Sequence, residues 1–170
     1  MSATNSLHYQ LCKKAASFLR KTREPMEAAW KIIAVEMVTG AAEIPDVWGT
    51  NGYQSVVVEV KTSRADFHAD RKKRNRQSGR EEYQSGNYRY FLSPADVIHE
   101  DELPEGWGLL HWDGKRITKV IQAPRRKVAN RSDLLMMCSI LRRLGVTTKI
   151  FNFREGQDED ETADELFPVT

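Results

Sequence analysis

Hydrophobic and polar residues alternate along this chain with two periods, one typical of helices and one typical of strands. Helices are predicted at Ser6–Arg20, where an apolar stripe recurs every three or four positions, at Arg64–Asn75 and at Ser132–Leu144. Strands are predicted at Trp30–Met37, Glu43–Trp48, Tyr53–Thr62, Tyr88–Leu92, Gly108–Trp112 and Arg116–Val120. This order predicts an α/β fold in which helices flank a central mixed sheet, followed by a C-terminal hairpin and helix.

The third predicted strand carries charged residues at the end of an apolar run. Val56, Val58 and Val60 share one face of the strand, so Glu59 and Lys61 share the other. The turn-forming segment from Gly49 to Gly52, which contains an Asn-Gly pair, predicts a hairpin that joins this strand to the one holding Asp46. Charged groups at the end of a buried strand are costly to desolvate, so their presence indicates a function.

The chemistry of these residues points to a divalent cation. Asp46 and Glu59 offer the hard oxygen ligands that Mg²⁺ (or Mn²⁺) prefers, and the Val60 carbonyl adds a third. Such an ion polarises a phosphodiester and activates water for attack. Lys61 would position that water and stabilise the developing charge. The plain alternative is a surface ion pair of Glu59 with Lys61 or Arg64, with Asp46 closing a turn.

The motif Glu43-Ile44-Pro45-Asp46 followed by Glu59-Val60-Lys61 resembles the signature of the PD-(D/E)xK nuclease superfamily. The continuation from Thr62 to Lys73, with its Arg-Ala-Asp-Phe segment, is similar to a branch that includes the MmcB-like DNA repair proteins and related phage and bacterial nucleases. This resemblance covers roughly residues 30 to 125. It implies a restriction-endonuclease-like αβββαβ core, divalent-metal catalysis and a nucleic-acid substrate. By matching positions it implies that Asp46 and Glu59 are metal ligands and Lys61 the catalytic lysine.

One position departs from the superfamily pattern. Many members place a further carboxylate on the first helix, whereas Leu7 to Arg20 contains no acid here. Glu36, at the end of the first strand, or Glu43 could replace it. Strand alternation alone points Glu43 away from Asp46, and only a bulge near Pro45 would bring it round.

A run of basic residues follows the motif, and such a run suits a polyanionic partner. The predicted nucleic-acid contacts are Arg64, Arg71, Lys72, Lys73, Arg74, Arg76 and Arg80. A second set could extend this track: Arg125, Arg126, Lys127 and Arg131. The whole chain has 26 basic and 24 acidic residues, for a net charge of +2. Seven of those acids and no base lie between Glu155 and the C-terminus, so the remainder carries +9.

Length and composition bound the other expectations. The 170 residues predict a single domain over 1–150 and an acidic, disordered tail over 151–170. No apolar run is long enough to span a membrane, and no secretory signal is present, so a cytoplasmic location in a bacterial or phage-infected cell is expected. Cys12 and Cys138 follow no metal spacing and are expected to be reduced and mostly buried. None of the four histidines shows a ligand spacing.

Together these features predict a metal-dependent nuclease that hydrolyses phosphodiester bonds in DNA, in repair, recombination or phage DNA processing. The main alternative is a DNA-binding module on the same fold that has weak or no catalysis and acts within a repair or phage-encoded complex. A third reading is a basic RNA-binding or regulatory protein whose acidic cluster is structural. A homodimer is an open alternative, since the apolar closing helix could serve either an interface or the core.

Overall fold

The computed structural model describes residues 6–21, 30–40, 43–76, 84–127 and 131–146, with the side chains of 71–76 left aside. Its three α-helices are α1 (Leu7–Lys21), α2 (Arg64–Arg76) and α3 (Arg131–Arg143). Its strands are β1 (Ile32–Val35), β2 (Val47–Thr50), β3 (Ser55–Val60), β4 (Tyr88–Pro94), β5 (Gly108–Trp112) and β6 (Ile117–Ile121). A short 3₁₀ helix spans Glu100–Glu102. Along this described part of the chain, the predicted order of helices and strands is confirmed.

The six strands form one mixed sheet in the order β1-β2-β3-β4-β5-β6. The first three strands are antiparallel neighbours, β4 and β5 continue parallel to β3, and β6 returns antiparallel to β5. The parallel step from β3 to β4 needs a crossover, which α2 provides. The register pairs Val47 with Val58, so Asp46 and Glu59 lie opposite each other one step further along the two strands.

Helices cover both faces of this sheet, as the sequence predicts. On one face α1 places Leu11 and Ala15 against a cluster that includes Val56, Val58 and Val60. On the other face Phe67 of α2 packs against β4 and β5, and Met136 of α3 packs against Trp48 and Val57. Since both faces are covered, β3 is apolar along most of its length and Glu59 is its one charged residue.

Two predicted boundaries differ from the structure around the first hairpin. The strand predicted at Glu43–Trp48 begins only at Val47, because Pro45 has no N–H to donate to a neighbouring strand. Gly49 and Thr50 therefore belong to β2 and not to the turn. The turn itself comes later, where the Asn51 side chain accepts hydrogen bonds from the backbone N–H groups of Tyr53 and Gln54. Asp46 thus precedes the strand and is freer to turn its carboxylate.

Local capping follows the sequence. The Ser63 hydroxyl accepts a hydrogen bond from the Asp66 N–H at 3.2 Å, which caps α2. Gly145, at a φ of +76°, ends α3, and the next N–H bonds back to the Leu141 carbonyl at 2.9 Å. Cys138 is exposed, so the expectation that both cysteines are buried is wrong for this one, because it lies on the outer side of α3.

Some expectations concern residues that the structure does not describe. The acidic tail at 151–170, Arg80 and most of the loop after α2 lie outside the described residues, and the limits of the predicted domain stay a prediction. None of the described helices is both long and apolar enough to cross a bilayer.

Candidate metal centre

Asp46 occupies the junction between the segment that follows β1 and the end of β3. Its backbone carbonyl accepts a hydrogen bond from the Glu36 N–H at 2.9 Å. Its carboxylate Oδ2 accepts one from the Val60 N–H at 2.7 Å. These two bonds hold Asp46 against the end of β3, at the residue that follows Glu59. The same Oδ2 lies 3.3 Å from Nε2 of His8, which comes from α1.

Glu36 reaches the same point from the end of β1. Its backbone has a φ of +46°, a left-handed conformation that a residue with a Cβ adopts only at a cost. In this conformation Glu36 Oε1 lies 3.5 Å from Nδ1 of His8. The side chain is 44% exposed, so a cation could approach it from solvent. Of the two acids proposed to complete the site, Glu36 is the one whose carboxylate meets the His8 ring that also contacts Asp46.

His8 and Cys12 complete this group from α1. They are four residues apart and therefore share a helix face, with Cys12 Sγ 3.7 Å from His8 Nδ1. One ligand atom from each of His8, Cys12, Glu36 and Asp46 lies within 4.8 Å of all the others. We call these four residues the α1 cluster. Sequence reasoning missed the two α1 members, although their four-residue spacing on a helix was visible.

Burial and neighbouring acids raise the pKa values of two groups near Asp46. Burial raises the pKa of Glu59 to about 8, and the charge of Asp46 adds to this increase, while Arg89 and Lys61 oppose it. Burial also raises the pKa of the Cys12 thiol to about 12, with further contributions from the charges of Asp46, Glu36 and Glu59. A bound cation would relieve this repulsion.

Lys61 follows directly after β3, and its side chain is 9% exposed. Its ammonium lies 3.6 Å from Asp70 Oδ2 and 4.0 Å from Asp66 Oδ1, both on α2. These two ion pairs fit a role of the ammonium in charge stabilisation. Sequence alone does not pair Lys61 with these acids, because the pairing depends on the angle at which α2 leaves β3.

Glu43 is engaged elsewhere. Both of its carboxylate oxygens accept hydrogen bonds from the buried Arg89 guanidinium, at 2.7 and 2.9 Å, and Oε1 accepts another from the Ser85 N–H at 2.7 Å. The guanidinium also lies 4.5 Å from the ring centre of Trp107. This arrangement ties the segment before Asp46 to β4, so Glu43 anchors the site rather than completing the α1 cluster.

The predicted nucleic-acid contacts are only partly described. Arg64 forms a two-pronged ion pair with Glu102, at 2.6 and 2.9 Å, which lowers the pKa of that acid to about 2. In the second basic set, Arg126 contacts Gln84 at 3.4 Å and exchanges backbone and side-chain hydrogen bonds with Asn87. The described part of the structure does not include the side chains of Arg71, Lys72, Lys73, Arg74 and Arg76. Their contact with nucleic acid stays a prediction.

Comparison with known proteins leaves the function open. The chain is similar to the SPO1766 protein of unknown function from Silicibacter pomeroyi, with a TM-score of 0.49 and 26% identity over 76% of this chain and 85% of that one. No protein-family model and no curated protein matches the sequence. The function therefore has to be inferred from the residues of the site.

Proposed function

We propose that this protein is a divalent-metal-dependent nuclease that hydrolyses phosphodiester bonds in DNA. The observation that carries the proposal is the Asp46 carboxylate, which the Val60 N–H holds at 2.7 Å directly after Glu59. The pKa of Glu59 responds to the charges of both Asp46 and Lys61. Glu36 approaches the same His8 ring that contacts Asp46. The element order from α1 through β4 matches the αβββαβ core that the resemblance to the PD-(D/E)xK superfamily implies.

The donors at this point fit a hard divalent cation. Asp46 and Glu59 would hold Mg²⁺ or Mn²⁺ as carboxylate ligands, with Glu36 as the additional acid and the Val60 carbonyl as a backbone ligand. Burial, and after it the charge of Asp46, raises the pKa of Glu59, and such an ion would stabilise the carboxylate against both effects. When bound, the ion would polarise the phosphodiester and lower the pKa of the attacking water.

The protein's own groups would supply orientation and charge. Lys61, held by Asp70 and Asp66, carries an ammonium whose charge acts on Glu59. This ammonium would stabilise the additional negative charge on phosphorus in the transition state. The Glu43–Arg89 ion pair fixes the segment before Asp46. The Val60 N–H fixes the Asp46 carboxylate itself, so the ligand is oriented before the ion arrives.

DNA is proposed as the substrate because of charge. The chain without its C-terminal acidic segment carries +9, and basic residues follow the site directly on α2. Neutralisation of phosphates by Lys and Arg supplies most of the non-specific affinity for nucleic acid.

The proposal predicts cleavage of plasmid and single-stranded DNA that requires Mg²⁺ or Mn²⁺ and stops in EDTA. Asp46→Asn, Glu59→Gln and Lys61→Met should each reduce the cleavage rate by about 100-fold or more, since each removes a ligand or a charge from the reacting phosphate. Glu105→Gln, which alters an exposed acid in another loop, is the matched control and should cleave at the wild-type rate. Full activity of Asp46→Asn would refute the assignment.

One observation favours the alternative, a DNA-binding module without catalysis. The Asp46 carboxylate and the Lys61 ammonium already have protein partners, so the site is electrostatically partly satisfied as it stands. Metal-independent DNA binding without cleavage under any of these conditions would establish this alternative. The homodimer also stays a prediction, which the oligomeric state in solution would test.

A further inference from the structure

The α1 cluster contains two donors that a magnesium site does not use. A thiol sulfur and an imidazole nitrogen are ligands of transition metals, whereas Mg²⁺ selects oxygen. Cys12 is fully buried, and His8 presents one ring nitrogen toward Cys12 and Glu36 and the other toward Asp46. The nuclease proposal gives Cys12 no role.

We propose that His8, Cys12, Glu36 and Asp46 form a binding site for a transition-metal ion of the Zn²⁺ class. The site draws on the same Asp46 that the proposed nuclease needs. Zn²⁺ bound here therefore blocks the hydrolytic ion, a consequence that rests on the proposed function. The binding of Zn²⁺ itself does not.

The geometry suits this ion. Zinc binds sulfur at about 2.3 Å and nitrogen or oxygen at about 2.0–2.2 Å in a tetrahedron, so its ligand atoms lie roughly 3.3–3.7 Å from one another. Cys12 Sγ is 3.7 Å and Glu36 Oε1 is 3.5 Å from His8 Nδ1. All four ligand atoms fall within 4.8 Å of one another, and small side-chain rotations would close the remaining gap.

Two further features support a built site. Glu36 is held in a left-handed backbone conformation, and that conformation accompanies the approach of its carboxylate to His8. His8 and Cys12 are presented by successive turns of α1, whose buried face is anchored in the core by Leu11 and Ala15. A rigid helix is a more precise support for metal ligands than a loop. On binding, the Cys12 thiol gives its proton to solvent and the thiolate becomes the ligand.

The test uses the full chain and Co²⁺ as a spectroscopic substitute for Zn²⁺, in the absence of DNA. Wild-type protein should bind one Co²⁺ and develop thiolate-to-cobalt charge-transfer absorption in the near ultraviolet, which added Zn²⁺ removes. Cys12→Ser should abolish that absorption and weaken Zn²⁺ binding by about 10-fold or more. Cys138→Ser is the matched control, because it removes the other cysteine, on the outer side of α3, and should leave the absorption intact.

Because Cys12 is buried, Cys12→Ser could also disturb folding. Glu36→Gln tests the same site by changing a side chain that is exposed at the surface. It should weaken Zn²⁺ binding while the charge-transfer absorption of bound Co²⁺ persists. Absence of the absorption in wild-type protein would overturn the proposal. So would its loss in Cys138→Ser together with its survival in Cys12→Ser.

The effect on catalysis is measured separately. Each protein's cleavage in Mg²⁺ is titrated with Zn²⁺ and compared with its own uninhibited rate. Wild-type cleavage should fall in step with occupancy of the Co²⁺-defined site, and Cys12→Ser should need about 10-fold more Zn²⁺. Co²⁺ binding without any DNA cleavage would leave the zinc site standing and defeat the proposed nuclease. Cleavage without thiolate absorption would defeat the zinc site alone.

Discussion

Glu59 shows at the scale of a single residue how the site is balanced. It lies one residue beyond the pair of Val58 with Val47, and burial together with the charge of Asp46 raises its pKa from the usual 4.5 to about 8. A carboxyl group whose pKa is higher in the folded state binds a proton that the unfolded chain releases. This group therefore stabilises the fold fully below about pH 4.5, and that contribution is lost as the pH rises through about 8.

The first prediction follows from the direction in which the Glu59 pKa is shifted. In EDTA, the free energy of unfolding of the wild-type protein should fall between pH 5 and pH 8, by at most about 1.4 kcal/mol for each pH unit from this one group. Glu59→Gln cannot ionise and should show a shallower dependence over the same range. Urea denaturation at several pH values measures both. Identical pH dependence in the two proteins would show that Glu59 is not the responsible group.

Individual residues of the site differ in how far the sequence predicts them. The hairpin predicts that Asp46 and Glu59 are neighbours in the strand pairing, whereas the contacts of the Asp46 carboxylate follow from its place before β2. The position of His8 could not be predicted, since its approach to Asp46 depends on how α1 crosses the sheet, a long-range packing result. Glu36 depends on a left-handed backbone conformation that its residue type does not favour and that local pattern does not indicate.

At the scale of elements, β4 and β5 approach each other too closely at Gly108 for a larger residue. A Cβ atom at Gly108, the first residue of β5, would overlap the Tyr90 ring at Cε1 and lie 2.6 Å from the Ala123 backbone nitrogen. The tyrosine ring could rotate only into a filled core, and the backbone of Ala123 cannot yield without moving the strand-end segment. Glycine is therefore required at position 108 because the Tyr90 ring and the Ala123 backbone lie too close for a side chain, and not because of its φ angle.

We expect Gly108→Ala to lower the free energy of unfolding by about 1 to 3 kcal/mol, the usual cost of overpacking. Gly40→Ala is the matched control, because nothing lies within 4 Å of a Cβ there and its φ is not positive. Thermal or urea denaturation of both variants decides the matter. If Gly108→Ala is as stable as Gly40→Ala, the described packing of β5 on β4 is incorrect.

Elements were easier to predict than their ends. The six strands and three helices follow from periodicity and from turn residues such as Asn51-Gly52 and Asp113-Gly114. The start of β2 was not predicted correctly. Ile44 and Pro45 are apolar and look like part of a strand, but proline cannot donate a hydrogen bond to a neighbouring strand. That shift by a few residues matters, since it leaves Asp46 outside the strand with a carboxylate free to meet Val60 and His8.

At the scale of the whole molecule, charge separates a basic body from an acidic C-terminal segment, with +9 on the former and seven acids on the latter. A protein that neutralises phosphates releases counterions when it binds. For each phosphate contact, its affinity for duplex DNA falls by about 0.9 logarithmic units for every tenfold increase in salt concentration. The slope of log affinity against log salt therefore reports the number of phosphate contacts. A general attraction by net charge, in contrast, does not depend on where on the protein the charges lie.

The last prediction uses that difference. If α2 contacts phosphates, replacing four of its basic residues with glutamine should reduce the salt slope by roughly 3 to 4, measured by fluorescence anisotropy of a labelled duplex in EDTA. The residues changed are Arg71, Lys72, Lys73 and Arg74. The matched control removes the same charge from α1, on the opposite face of the sheet, at Lys13, Lys14, Arg20 and Lys21. It should change the slope much less. Equal losses in the two variants would mean that net charge alone attracts DNA, and α2 would then have no special place in binding.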